Sequence, residues 1–437
     1  MNNNPNIVLI NCHDLGQRLG CYDKGIETPN LDRMADEGVK FDNYFCTAAQ
    51  CSPSRGSIMT GKYPHKHGLI GLAHKRFGWE LDESEVTIPM FLRKEGYKTH
   101  LFGLQHESTD PESLGYQEIH GTGRAEQRAK PVANRFIEFL KSETQSGNQT
   151  PFFASVGFGE PHRPFGLADY DNDDSSKVKV PPYLPDKPGI RDDIAGLNGK
   201  IYAVDKEVGR IREVLKDTAL YENTLLIFTT DHGIAMPRAK GTCYDPGIET
   251  ALLIHKPGEF EGGKSYGELL SNVDLLPFLL EYGEEEIPTD IDGRSFLPLL
   301  EEDSTYYSRD YLYMEMTWHD QYNPMRGIRT NNYKYIKNFG ERPLVYMPGD
   351  VYKGKAGQEM KEEYYATTRP KEELYNLSKD PLEKNNIANL REDTDILKTF
   401  REQLKNWMAE TGDPLFSDPV PPTKAQWVYL QEKEIDN

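Results

Sequence analysis

Short apolar runs that alternate with helical patterns constrain the fold of this 437-residue chain more than any other feature. The runs have the length and composition of buried strands, and they lie at 6–11, 97–102, 151–158, 223–230 and 250–255. Helical patterns lie between them at 28–38, 87–95 and 191–217. Because strand–helix alternation builds parallel sheets, the sequence predicts an α/β fold with a large, mainly parallel sheet flanked by helices.

A different pattern follows an acidic, proline-containing stretch at 283–309. Tyr311–Met316 and Gly327–Lys337 are predicted as strands, and an amphipathic helix is expected at 393–410. These elements predict a smaller C-terminal α+β domain with an antiparallel sheet and a packed helix. Since the chain is too long for one ordinary core, we expect a main α/β domain at 1–300 and a second domain at 301–437.

The net charge of the chain and the length of its first apolar run disfavour two classes of partner, nucleic acid and membrane. With 70 acidic and 51 basic residues, the formal net charge is -19, so nucleic acid is not expected as a partner. The first apolar run, Ile7–Ile10, is too short for a signal-peptide core or a membrane span. We therefore expect no membrane partner and a cytoplasmic location, or a periplasmic or secreted one if a leader was removed.

Polar residues follow three of the predicted strands, at 11–14, 160–162 and 231–233. Open α/β sheets bind ligands at the carboxyl ends of their strands. Asp14 and Asp231 offer hard oxygen ligands, and His13 and His232 offer imidazole nitrogen, so the sequence predicts a site for one divalent cation. The alternative is that Asp14 caps a helix or turn and the histidines are ordinary loop residues.

Cys51 precedes a predicted helix in which Pro53 occupies the first turn and Gly61 follows the last. The free N–H groups of a helix N-terminus favour an anion, and Arg55 adds a bidentate donor for sulfate or phosphate. A cysteine at such a position is more often an ordinary buried thiol. The neighbouring residues therefore decide its role.

Those neighbours, Cys51-Ser52-Pro53-Ser54-Arg55 followed by Thr60-Gly61-Lys62, are similar to the signature of the formylglycine-dependent, cysteine-type sulfatases of the alkaline phosphatase superfamily. Other segments resemble the same family: Thr28–Asp32, Pro161–His162, Asp231–Gly233, Lys240–Thr242 and Glu373–Leu377. Within it the chain looks nearest to the N-sulfoglucosamine sulfohydrolases, through Pro161–Arg163, Pro324–Arg326 and Glu410–Pro414. In that family the cysteine is oxidised to formylglycine, whose hydrated aldehyde attacks sulfur and later expels sulfate.

The resemblance implies a role for each matching catalytic position. Cys51 matches the precursor of formylglycine, and Arg55 matches the residue that steadies it. His106 matches the histidine that holds one hydroxyl of the hydrate and could remove its proton. His162 and Lys240 match contacts to the substrate sulfate, and Lys240 could protonate the leaving oxygen.

For the metal, the resemblance implies Asp14, Asp231 and His232 as ligands of one divalent ion, with His13 where the family usually has an aspartate. Ca²⁺ is the first expectation and Mn²⁺ or Mg²⁺ the alternatives, and the change to His13 makes Mn²⁺ more competitive. A second departure is Leu104, where the family usually has a lysine. The candidate replacements are Lys62, Lys75, Arg76 and Arg163.

The resemblance implies a sulfatase that hydrolyses a sulfate ester or sulfamate on a small sulfated saccharide, such as a glucosamine derivative. It also implies a maturation partner, either a formylglycine-generating or an anaerobic sulfatase-maturating enzyme. Two alternatives stay open. One is a hydrolase of phosphonate monoesters or phosphodiesters on the same scaffold, and the other is a catalytically silent protein that binds sulfated sugars.

Overall fold

The structure, a computed structural model, describes residues 4–147, 149–303, 306–390 and 394–435. The strands are β1 (Asn6–Cys12), β2 (Val39–Phe41), β3 (Tyr44–Phe45), β4 (Lys98–Gly103), β5 (Glu118–His120), β6 (Phe152–Phe158), β7 (Thr224–Thr230), β8 (Leu252–His255), β9 (Lys264–Tyr266), β10 (Leu270–Ser271), β11 (Leu312–Trp318), β12 (Tyr322–Arg329), β13 (Tyr333–Asn338) and β14 (Glu372–Asn376).

The helices are α1 (Pro29–Glu37), α2 (Cys51–Thr60), α3 (Pro64–His67), α4 (Ile88–Lys94), α5 (Ala129–Ser146), α6 (Pro188–Lys216), α7 (Asp245–Ile248), α8 (Leu275–Tyr282), α9 (Leu297–Leu300), α10 (Gly349–Tyr352), α11 (Lys355–Tyr365), α12 (Thr394–Glu410) and α13 (Lys424–Ile435). No helix among the described residues is both long enough and apolar enough to cross a membrane.

The main sheet has eight strands in the order β5-β4-β6-β1-β7-β8-β2-β9. Its central strands β4, β6, β1 and β7 are all parallel. Strand β8 runs antiparallel to both β7 and β2, while β2 and β9 are parallel. The predicted large, mainly parallel sheet is therefore confirmed.

Both faces of the sheet are covered, which explains why its central strands β1, β6 and β7 are buried and largely apolar. On β1, Val8 and Ile10 pack into the core that includes α5 and α6. Ile7 and Leu9 point to the other face and join the core with α2, α4 and α8. The central strands β1 and β7 carry no charged side chain, and the predicted charged ligands lie just beyond their ends.

The C-terminal part of the chain forms a four-stranded antiparallel sheet in the order β11-β12-β13-β14. Helix α12 covers it, with Leu404 and Trp407 packed in one cluster with Ile328 and Tyr335. The predicted antiparallel sheet and packed helix are confirmed. The single strand predicted at Gly327–Lys337 is wrong, because that segment contains the end of β12, a turn and the start of β13.

The segment between β13 and β14 joins the C-terminal sheet to the main sheet. Val345, Met347 and Val351, with Met360 and Tyr364 of α11, are buried in the core on the α5–α6 side of the main sheet. This packing brings α10 to the edge of the main sheet where β1 and β7 end. The division of the chain into domains at residues 300 and 301 stays a prediction.

Candidate active site

The ends of β1 and β7 bring the predicted metal ligands together. These strands are parallel neighbours in which Cys12 lies opposite Thr230, so the residues that follow leave the sheet side by side. Asp14 has a φ of 58°, a left-handed conformation that aspartate tolerates better than most residues. Its N–H donates to Oδ1 of Asp231 at 2.9 Å. The turn after β1 is thus fixed by the turn after β7.

His13, Asp14, Asp231 and Cys51 form a buried group that we call the ligand cluster. One nitrogen, oxygen or sulfur atom of each lies within 4.8 Å of the others. Nδ1 of His13 is 3.1 Å from Oδ1 of Asp14, yet it is buried without a hydrogen-bond partner. A buried ring nitrogen without a hydrogen-bond partner, beside two carboxylates and a thiol, fits the ligands of a cation.

His232 lies beside three members of the ligand cluster. Its Nε2 is 2.9 Å from Oδ1 of Asp14 and 3.8 Å from Oδ1 of Asp231. Its Nδ1 is 2.8 Å from the Gly233 carbonyl, which can only accept, so Nδ1 carries a proton and Nε2 faces the carboxylates. Its ring centroid is 6.3 Å from that of His13. The two imidazoles therefore approach the carboxylates from different sides.

These residues fit one divalent cation. The buried carboxyl groups of Asp14 and Asp231 give hard oxygen, and the two histidines give nitrogen. Burial raises the pKa of Asp231, but His232, Arg55 and His13 lower it by more, so the pKa falls to about 2. Both negative charges therefore persist in the interior, where a positive partner stabilises them.

Cys51 is the first residue of α2, and all ten residues of this helix are buried. Pro53 lies in the first turn, and Gly61 ends the helix with a φ of 68°, as the sequence predicted. The Sγ atom of Cys51 is 3.5 Å from Nε2 of His232 and 3.8 Å from Oδ1 of Asp14. The N-terminus of α2 therefore lies directly beside the predicted metal ligands.

The electrostatic field at this place favours an anion. Burial raises the pKa of the Cys51 thiol, but His13 and Lys240 lower it by more, so the pKa falls to about 6. The other buried cysteines, such as Cys12 and Cys46, have pKa values raised by burial. Cys51 therefore differs from an ordinary buried thiol.

Arg55 lies one turn along α2 but is directed at the ligand cluster. Its Nε donates to Oδ2 of Asp231 at 3.0 Å, and its Nη2 donates to the Cys12 carbonyl at 3.3 Å. The side chain is 1% exposed. Arg55 thus holds the helix that carries Cys51 against the ends of β1 and β7.

His106 follows β4 and reaches the ligand cluster through His13. Its Nδ1 is 3.2 Å from Nε2 of His13. If Nδ1 of His13 binds the cation, Nε2 of His13 carries the proton and donates to His106. On the other side, the ring of His74 packs against His106 with centroids 4.6 Å apart. The structure thus brings His106 to the site as predicted.

Lys240 and His162 meet at a carboxylate that the sequence did not indicate. Nζ of Lys240 donates to Oδ2 of Asp14 at 2.8 Å and to Oδ2 of Asp350 at 2.9 Å. Nε2 of His162 is 3.7 Å from each of the same two oxygen atoms. Asp350 lies on α10, and its Oδ1 is buried without a hydrogen-bond partner. This orphan oxygen makes Asp350 a further candidate site residue.

All nine residues predicted for the site are therefore close to one another or joined through a shared neighbour. Residues 5–284 match the sulfatase family, and residues 238–348 match the C-terminal region of N-sulphoglucosamine sulphohydrolase. The chain belongs to the sulfatase family. The predicted family and the predicted class of enzyme, a sulfuric ester hydrolase, are confirmed. Sulfatases of this family generally use a divalent metal ion and formylglycine.

Relatives of this sulfatase match along almost the whole chain. Human N-sulphoglucosamine sulphohydrolase is 28% identical over 478 residues, which cover 95% of this chain and 92% of the human protein. An ulvan-active sulfatase of Formosa agariphila is 29% identical over 429 residues, which cover 95% of this chain and 82% of that protein.

The fold is also shared with solved structures. One of them, described as a complex with its substrate D-glucosamine-2-N,6-O-disulfate, has a TM-score of 0.72 at 21% identity. The match covers 95% of this chain and 99% of that chain. At this identity the likeness supports the fold alone.

One departure of this sulfatase concerns Leu104, which is buried and supplies no positive charge. Of the proposed replacements, Lys62 pairs with Glu85 and Asp290, and Arg163 pairs with Asp193. Lys75 and Arg76 are exposed. Arg76 lies over the ring of Tyr429, 4.5 Å from its centroid. Lys62 and Arg163 are thus paired with other carboxylates. The remaining candidates to replace the missing positive charge are Lys75 and Arg76.

Proposed function

We propose that this sulfatase releases sulfate from a small sulfated sugar of the glucosamine type, as a sulfate ester or sulfamate, through formylglycine made from Cys51. The observation that carries this proposal is the position of Cys51. It stands at a helix N-terminus, next to Asp14 and His232, in a field that lowers its pKa to about 6. Such a place suits a nucleophile that must carry negative charge.

His13, Asp14, Asp231 and His232 would hold the divalent ion. When bound, this ion would polarise the sulfate oxygens and withdraw negative charge from them. Ca²⁺ is the first expectation for a site built on two carboxylates, and the two imidazoles make Mn²⁺ a stronger competitor than Mg²⁺. Oδ2 of Asp14 is taken by Lys240, while Oδ1 faces both histidines and is free to ligate.

Formylglycine would supply a hydrated aldehyde, one oxygen of which attacks sulfur while the other allows collapse back to the aldehyde. Arg55 orients this group indirectly, because it binds Asp231 and the Cys12 carbonyl rather than the residue at position 51. With Nδ1 of His106 accepting from His13, Nε2 of His106 carries the proton and would donate to one oxygen of the hydrate, and the link to His13 fixes the ring. A maturation enzyme of the formylglycine-generating or anaerobic class is the implied partner.

Lys240 and His162 would bind the sulfate and the leaving group. Nζ of Lys240 is charged, because Asp14 and Asp350 raise its pKa against the effect of burial. As a cation it can stabilise the negative charge that develops on the oxygen or nitrogen that leaves as the bond to sulfur breaks. Nε2 of His162 is 3.7 Å from an oxygen of each of the same two carboxylates, so it lies close to Nζ of Lys240.

The balance of charge favours a sulfate over a phosphate monoester. Asp14, Asp231 and Asp350 carry three negative charges against the two positive charges of Lys240 and Arg55. With a divalent ion bound, these groups and the ion together would carry a net charge of one positive unit. This matches a sulfate ester or sulfamate, which carries one negative charge, better than a dianionic phosphate.

The test is to produce the protein together with a formylglycine-generating enzyme and to measure two properties. Peptide mass spectrometry reports the conversion of Cys51, and ion chromatography reports sulfate released from N-sulfated and from O-sulfated glucosamine. We expect conversion and release, and the preferred substrate assigns the N–S or O–S bond. A phosphonate monoester and a phosphodiester serve as comparison substrates.

Two variants control this experiment. Cys51→Ala removes the nucleophile and should abolish sulfate release. Cys21→Ala changes a cysteine that pairs through its N–H with Asp32 and is not part of the site, so release should persist. Converted protein that hydrolyses the phosphonate monoester but no sulfated sugar would contradict the proposal, and so would converted protein that binds sulfated sugars without hydrolysing them.

A further inference from the structure

A second group of metal-binding side chains lies at the edge of the main sheet, on β4 and β5. These strands are parallel, with His100 opposite Glu118 and Phe102 opposite His120. Residues two apart on a strand share a face, so Glu118 and His120 project to the same side as His100. The register alone therefore places two imidazoles and one carboxylate next to one another.

The distances within this group match those around a small transition-metal ion. Nδ1 of His100 is 3.3 Å from Nε2 of His120, and each is 3.7 Å from Oε2 of Glu118. Three atoms with these separations lie on a circle of about 2.1 Å radius, which is the usual length of zinc–nitrogen and zinc–oxygen bonds. Little rearrangement would be needed to hold an ion between them.

The surroundings fix the histidines and leave the carboxylate accessible. The His120 ring stacks on Phe102 with centroids 4.2 Å apart, and the His100 ring packs against Phe139 at 4.5 Å. The Glu118 side chain is 58% exposed at an open cleft of about 430 Å³. An ion can therefore enter from solvent, and water can complete its coordination.

We infer that His100, Glu118 and His120 form a binding site for a transition-metal ion such as Zn²⁺, separate from the catalytic ion. Two imidazoles and one carboxylate suit Zn²⁺, whereas Ca²⁺ prefers six or more oxygen ligands. Strand β5 has three residues and, among the strands that the structure describes, pairs only with β4 at the end of the sheet. The ion would cross-link this edge strand to the sheet. The competing account is a hydrogen bond between two neutral imidazoles with no ion.

The experiment uses the full chain, freed of metal and then equilibrated with Zn²⁺ in the presence of excess Ca²⁺. Bound zinc is measured by mass spectrometry of the elements, and hydrogen exchange is measured for the peptide that covers 116–122. The variants are His120→Gln and Glu118→Gln. Glu138→Gln is the matched control, because this exposed carboxylate lines the same cleft but lies outside the group.

We expect His120→Gln and Glu118→Gln to bind one equivalent of zinc fewer than the natural chain, while Glu138→Gln binds as much. Zinc should slow exchange in 116–122 at least tenfold in the natural chain and not in the two variants. Equal zinc content in all four proteins, or exchange in 116–122 that zinc does not change, would overturn the inference. Since Glu118 is exposed, its variant tests the site even if His120→Gln folds poorly.

Discussion

Two buried clusters in this sulfatase contain carboxylates and histidines, but a single arginine binds both carboxylates in only one of them. We call that one the closed cluster and the ligand cluster the open cluster. Beside the C-terminal sheet, His65 of α3, Glu315 of β11 and Asp413 after α12 lie as close to one another as the members of the ligand cluster do. Arg326 occupies the centre of that second cluster. It donates to both oxygens of Asp413, at 2.5 and 2.9 Å, and its Nη2 is 3.2 Å from Oε2 of Glu315.

The difference between the clusters lies in how their carboxylates are paired. In the second cluster one guanidinium, that of Arg326, binds both carboxylates. In the ligand cluster Lys240 binds Oδ2 of Asp14, and Oδ1 of Asp14 faces His13 and His232. The ligand cluster keeps Nδ1 of His13 without a hydrogen-bond partner, and Oδ1 of nearby Asp350 is in the same condition. Nε2 of His65 in the second cluster also lacks a hydrogen-bond partner, so the clusters are distinguished by their carboxylates rather than by their histidines. We therefore expect the ligand cluster to serve catalysis and the second cluster to serve stability.

The largest expected effect tests the open cluster. Asp231→Asn should lower kcat/KM of the converted enzyme at least about 10³-fold, roughly 4 kcal/mol, because the divalent ion loses a charged ligand. Steady-state kinetics and the metal content of the purified variant measure this. Metal content and activity within tenfold of the natural enzyme would remove the ligand cluster from the mechanism.

The closed cluster should respond in stability instead. Arg326→Leu leaves Asp413 and Glu315 buried without their cation, so the free energy of unfolding should fall by about 3–5 kcal/mol. Urea denaturation measures this, and the folded fraction should keep its specific activity within about twofold. Arg401→Leu is the control, since its pair with Glu372 is largely exposed and should cost at most about 1 kcal/mol.

A smaller effect is expected where the C-terminal region enters the catalytic edge. Asp350→Asn removes one of the two carboxylates that hold Lys240 but keeps the size of the side chain. We expect kcat/KM to fall about 10-fold to 100-fold, or 1.4–2.8 kcal/mol, with the unfolding midpoint unchanged. Asp192→Asn, which breaks an exposed pair with Lys355, should leave kinetics unchanged. If both variants behave alike, Asp350 has no role in positioning Lys240.

The smallest effect concerns which metal the open cluster prefers. His13→Asp replaces nitrogen by hard oxygen and adds a negative charge to the site. The ratio of Ca²⁺ to Mn²⁺ affinity should therefore rise about tenfold, or 1.4 kcal/mol. Competition binding to the metal-free protein measures this ratio. An unchanged ratio would mean that His13 does not ligate the ion.

The open cluster could be predicted from the sequence because its parts obey local rules. Buried parallel strands are apolar along their length, so the polar pairs at 13–14 and 231–232 indicate strand ends, and the carboxyl ends of parallel strands share one edge. The helix of Cys51 has its proline and glycine where helix geometry requires them. These signals need no knowledge of how distant segments pack.

The remaining features depend on tertiary contacts that leave no local pattern. Asp350 reaches the site only because the residues around it dock into the core beside α11, far along the chain from Lys240. The turn between β12 and β13 was missed because Tyr and Ile are frequent on both sides of it. There the hydroxyl of Thr330 accepts from the N–H groups of Asn332 and Tyr333 at 3.2 and 3.0 Å. A local turn signal was thus present and outweighed by strand-forming neighbours.

The burial of helix α2 bears on when Cys51 could be oxidised. Cys51 is 3% exposed, and every residue of the helix that follows it is buried. If Cys51 is converted to formylglycine as we propose, an enzyme could reach it only before this helix folds or after it unfolds. Folding and conversion would then compete for each newly made chain, and the active fraction of a preparation would be decided at synthesis rather than afterwards.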